Sequence, residues 1–152
     1  MLRVAAVAAL LFAFAASAAS AATIEVRGAW IRATPPGAPT TAGYATFVNH
    51  GLSDRLMGGH TPVASTVQIH QMSMAGGVMR MRPLPGGLAI GAAATVALAP
   101  ASDHLMLIGL KGSLHAGQHV KVVLQFQRTG DIAVDFPVLD APPGGGMGGM
   151  HM

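Results

Sequence analysis

The chain has 152 residues, no cysteine, and nine Lys and Arg against six Asp and Glu, a net charge of +3. The length fits one domain after any processing. The missing cysteines exclude disulfide staples and thiolate metal sites, and the scattered basic residues form no clustered footprint of the kind nucleic acid needs.

In chain order, residues 1–22 read as an export signal. Arg3 supplies the positive start, and Val4 to Ala16 is an apolar run too short to span a bilayer comfortably. Ala19-Ser20-Ala21 is a small-residue cleavage site. Cleavage near Ala21/Ala22 releases an exported product of about 130 residues, enough for one core without disulfides. From Thr23 to Pro137, short apolar runs are broken by Gly, Pro, Asn and Asp, which predicts an all-β sandwich or barrel. The expected strands are Ile24 to Ile31, Gly43 to Asn49, Arg55 to Val63, Thr66 to Met72, Val78 to Met81, Leu88 to Ile90, Thr95 to Leu98, His104 to Leu110, Val120 to Gln127 and Ile132 to Val138. Along Val120 to Gln127 the even positions are apolar, while Gln125 and Gln127 face out. Thr34 to Thr40 holds three prolines and reads as a loop. Trp30, just before it, reads as a core or rim anchor. The folded domain is expected to span residues 23–140. Ala141 to Met152 has almost nothing to bury and reads as a flexible tail. Its glycines match the spacing of a dinucleotide loop, but such a loop must open a helix and the sequence ends there.

His70, Met81, His104 and Met106 carry the chemistry. Thioether sulfur is a soft neutral donor and imidazole suits copper, so two of each favour Cu(I) over zinc or hard cations. Strand parity gathers them. Ala75-Gly76-Gly77 separates two β-like runs, which makes residues 66–81 a hairpin. Side chains alternate faces, so His70, Met72 and Met74 share one face and Met79 and Met81 share the face beside it. A turn centred on Ala75-Gly76 places His70 opposite Met81. A turn centred on Gly76-Gly77 places Met72 there instead. His104 and Met106 project together from a third strand, while Leu105 and Leu107 project the other way.

The order is His, ten residues, Met, 22 residues, then His-x-Met. With its flanks Ile69-His70-Gln71-Met72, Met79-Arg80-Met81-Arg82 and His104-Leu105-Met106-Leu107, it resembles the periplasmic copper chaperones of the PCuAC (DUF461) family. The resemblance extends from about Trp30 to Val138. It implies a cupredoxin-like Greek-key β-sandwich that binds one Cu(I) through His70, Met81, His104 and Met106. It also implies delivery toward cytochrome c oxidase assembly, to oxidase subunit II or a Sco-type copper protein, by a chain that is not an enzyme. Met72, Met74 and Met79 are spare thioethers whose simplest role is rim packing. Met147, Met150, His151 and Met152 are candidates for a second, looser copper-capturing arm, able to take Cu(II) with carbonyls or the terminal carboxylate. A passive tail fits that composition equally well.

His50, His60, His115 and His119 read as structural or solvated. Asp103 is a candidate acceptor for the His104 ring. Ser102-Asp103-His104 holds triad residue types, but consecutive strand residues cannot form a triad, and no nucleophile elbow exists. Blue-copper electron transfer needs a cysteine, and a copper monooxygenase would need His directly after the cleavage site. The remaining rivals are a periplasmic copper-sequestering protein and a metal-free β-sandwich interaction module.

Overall fold

The computed structural model describes residues 23–143, so the expected signal segment and residues 144–152 of the tail lie outside the described residues. Ten strands and no helix make up the described chain. They are β1 (Ile24–Arg32), β2 (Thr40–Asn49), β3 (Asp54–His60), β4 (Ala64–Ala75), β5 (Val78–Pro83), β6 (Leu88–Ile90), β7 (Thr95–Ala97), β8 (His104–Leu110), β9 (His119–Phe126) and β10 (Gly130–Leu139). The all-β expectation holds, and every expected strand exists.

The two sheets of the expected sandwich are joined. Ladders run β4-β8-β2-β1-β10-β9-β3, and a β3–β4 pairing at Gly59 and Val67 closes them into a seven-stranded ring. The β1–β10 pair is parallel and the others are antiparallel, so the barrel is mixed. β5, β6 and β7 hang on β4, β3 and β2. Closure is the physical reason for the difference. A ring leaves few unpaired edges, which an open two-sheet sandwich would otherwise expose.

Alternation fills the ring. Ile69, Leu105, Leu107, Val122, Leu124, Phe47 and Phe136 point inward and are buried, and Phe47 meets Phe126 edge-to-face at 5.8 Å. On β1 one extra residue between Arg27 and Trp30 makes a bulge, with Gly28 at φ +60°. Before it the even positions face the interior. After it Ile31 does, and Trp30 turns outward beside Tyr44. A one-residue insertion necessarily flips the faces this way.

The β4–β5 hairpin turns on Gly76-Gly77, both at positive φ, and pairs Met72 with Met81 and Met74 with Met79. Of the two registers open to the sequence, this is the second. The β5 residues are all exposed, so the hairpin projects beyond the ring.

Candidate metal centre

The centre begins where β4 and β8 run side by side. His70 faces His104 across that ladder, and Gln68 faces Met106 two pairs along. Ile69 and Leu105 are sealed inside the ring, so parity sends all four neighbours to the outer face. The two imidazole centroids stand 5.9 Å apart. Tyr44 is buried on β2 with its ring 6.3 Å from that of His104, and Trp30 stacks behind it at 4.7 Å. His104 is thereby buried although it lies on the outside of the sheet.

The protons can be placed. His104 Nδ1 is 3.0 Å from the Ser102 carbonyl oxygen. A carbonyl only accepts, so Nδ1 carries the hydrogen and Nε2 presents a bare lone pair. That nitrogen sits 3.1 Å from Met81 Sδ, a second atom with lone pairs and no hydrogen. In the neutral Nδ1–H tautomer no proton bridges them, and a soft cation can. A 3.1 Å separation lies within the span of one ion, since even zinc–imidazole and zinc–thiolate bonds are roughly 2.0 and 2.3 Å.

His70 shows the complementary pattern. Its Nε2 lies 3.1 Å from Gln68 Oε1, so Nε2 donates and Nδ1 is left as an acceptor. Nδ1 is buried with no hydrogen-bond partner. An orphaned buried acceptor costs roughly 1–3 kcal/mol, and a metal ion would satisfy it. Burial holds the His70 pKa below the usual 6.5, and the neighbouring His104 adds to the effect. Both influences keep the ring neutral, the form a metal requires.

Among the described residues no three His, Asp or Glu side chains gather at one point. A centre here therefore takes sulfur from methionine. The structure brings His70, Met81 and His104 together, and Met106 joins them by register on the same face. Met81 reaches across β4 to touch His104, so the projecting hairpin closes the site from above.

The acceptor for His104 is the Ser102 carbonyl and not Asp103. Gln68 and Tyr44 were not singled out from the sequence. Gln68 was accessible to the parity argument, since it lies two positions before His70. The bulge that aligns Trp30 and Tyr44 leaves only Gly28 as its mark. His50 and His119 pair with Glu25 and Asp135 on exposed surface, away from the centre. Of the tail's Met147, Met150, His151 and Met152, none lies within the described residues.

The chain matches the family model described as "Putative lipoprotein LpqE-like" over residues 24–138. "Putative lipoprotein Lxx21020" of Leifsonia xyli subsp. xyli is 35% identical over 118 residues, covering 77% of this chain and 70% of the relative. The solution structure of CuI-DR1885 from Deinococcus radiodurans is 32% identical, with a TM-score of 0.65 over 82% of this chain and 83% of that one. The copper-bound PCuAC domain from PmoF2 is 22% identical, with a TM-score of 0.67 over 78% of this chain and 94% of that one, a likeness of fold alone.

Proposed function

The chain belongs to the LpqE-like family, the PCuAC or DUF461 group, and on that premise we propose that it is an exported copper chaperone. It holds one Cu(I) through His70, Met81, His104 and Met106 and delivers it toward the copper sites of cytochrome c oxidase, to subunit II or a Sco-type protein. The carrying observation is the approach of His104 Nε2 to Met81 Sδ at 3.1 Å. The cupredoxin-like Greek-key description belongs to the same proposal. Its support is a ring in which most neighbouring strands are not consecutive. So does export through residues 1–22. Among the described residues no helix is long and apolar enough to cross a membrane. The relative's lipoprotein name does not bring a cysteine-linked lipid with it, because the chain has no cysteine.

The mechanism follows from the donors. Two neutral imidazoles and two thioethers leave the bound ion its positive charge and form no strong thiolate bond. His70 and His104 are held in the ring by the β4–β8 ladder, whereas Met81 arrives on an exposed strand. Met81 is thus the ligand that can leave first. An acceptor offering cysteine thiolates takes the ion by ligand exchange at that open side, down a gradient of donor strength.

Anaerobic Cu(I) titration with X-ray absorption tests this reading. The wild type should take one tightly held ion with both nitrogen and sulfur neighbours. Met81→Ala should lose a sulfur neighbour and His104→Ala a nitrogen, each with at least a tenfold weaker affinity. Unchanged affinity in both variants would remove the assignment. Transfer to a reduced Cys-pair acceptor separates delivery from sequestration.

A further inference from the structure

We propose a second Cu(I) site, made of thioethers alone, at the tip of the β4–β5 hairpin: Met72, Met74 and Met79. It rests on the copper reading of the neighbouring centre and lies next to it on the same hairpin face.

Register supplies the convergence. Met74 is the direct cross-strand partner of Met79, and Met72 is that of Met81. Directly opposed residues hold their Cβ atoms about 4.5–5.5 Å apart. Each methionine then has three rotatable bonds with which to bring its sulfur to a shared point. Parity sends these side chains to the His70 face. The opposite face carries Gln71, Ser73, Arg80 and Arg82. The hairpin is therefore sulfur-bearing on one side and cationic on the other.

Packing does not account for Met74 and Met79, which are 65% and 43% exposed. Met72 is half-buried and links them to the inner centre. The tip has room around it as well, since a Cβ built on Gly76 or Gly77 would meet nothing within 4 Å. Four thioethers on ten residues of a projecting hairpin, with no cysteine in the chain, present soft neutral donors to solvent. Such donors select Cu(I) over hard or oxidised cations. Without imidazole the tip holds copper more weakly than the inner centre. An ion caught at Met74 and Met79 passes by way of Met72 to Met81, and leaves by the same route.

The test uses the full chain with isotope-labelled methionine methyls, assigned by single substitutions. Ag(I) serves as a redox-inert stand-in, and Cu(I) is then titrated under anaerobic conditions. The first equivalent should move the methyl signals of Met81 and Met106, and the second those of Met72, Met74 and Met79. The double variant Met74→Leu/Met79→Leu keeps apolar area but loses sulfur. It should bind the first equivalent as before and the second at least tenfold more weakly at the hairpin. The proposal is overturned if the second equivalent leaves the hairpin methyls still, if it moves only Met147, Met150 and Met152, or if the double variant binds it as tightly as the wild type. Stationary Met81 and Met106 signals beside moving Met74 and Met79 signals would instead remove the inner centre and leave the tip site standing. With no methyl moved at all, both readings fall.

Discussion

At His104 a backbone carbonyl decides which nitrogen is free, and at His70 a glutamine does. The Gln68 amide fixes the His70 ring so that Nδ1 is the acceptor. Gln68→Leu keeps the bulk but removes that hydrogen bond. Loss of such an outer partner costs roughly 10–100-fold in metal affinity. We expect about a tenfold weaker Cu(I) affinity with folding intact, read by competition against a chromophoric Cu(I) chelator. His70 contributes to the pH response. Copper needs the neutral ring, and burial together with His104 lowers the His70 pKa below 6.5. Proton competition at His70 should therefore set in at lower pH than at an unperturbed imidazole, and Cu(I) affinity should fall as the pH drops through that range. A decline already under way above pH ~6.5, the unperturbed value, would contradict this environment.

The decisive element is the β4–β5 hairpin, because it carries Met81 to a ring it does not itself belong to. Its two-residue turn has Gly76 at φ +59° and Gly77 at φ +78°. This left-handed pair is the turn that matches strand twist and that β-branched residues resist. Gly77→Val should strain the turn by about 1–2 kcal/mol. Because β5 is exposed throughout and lies outside the ring, local opening of the hairpin can relieve that strain, so the thermal midpoint of the ring should move little while Cu(I) affinity falls several-fold. Calorimetry and chelator competition on one sample separate the two effects. The hairpin itself was legible from two β-like runs around Ala75-Gly76-Gly77. Its register was not. Two turn positions satisfied the same alternation, and only the backbone conformation chose between them.

For the whole molecule, stability depends on closing the ring, and closure is concentrated at β3. Gly59 lies so near β9 that a Cβ there would stand 2.6 Å from the Val123 carbonyl oxygen, on the residue that also pairs with β4. Asp54 anchors the start of the same strand. Its carboxylate accepts from the N–H groups of Arg55, Arg128 and Thr129 and from the Thr129 hydroxyl. Burial opposes the charge, but these donors outweigh it and hold the pKa below 3.8. The sign follows from the lowered value. This stabilisation is present above the unfolded carboxylate value near ~3.9 and is lost as pH falls through the lower folded value. Asp54→Ala should cost about 2 kcal/mol at neutral pH, since three part-buried N–H groups lose their acceptor. Urea unfolding should show that difference shrinking toward pH 3.

Residue chemistry and strand parity alone determined an all-β body, the ten strands and four candidate donors, because a period of two assigns each side chain a face without knowledge of its neighbours. The tertiary structure decided the rest. It closed one ring where two sheets were expected, aligned Trp30 and Tyr44 behind His104 through a bulge, replaced Asp103 with the Ser102 carbonyl, and brought Met81 Sδ onto His104 Nε2. Those outcomes depend on contacts between strands far apart in the chain, and alternation within a single strand carries no information about them.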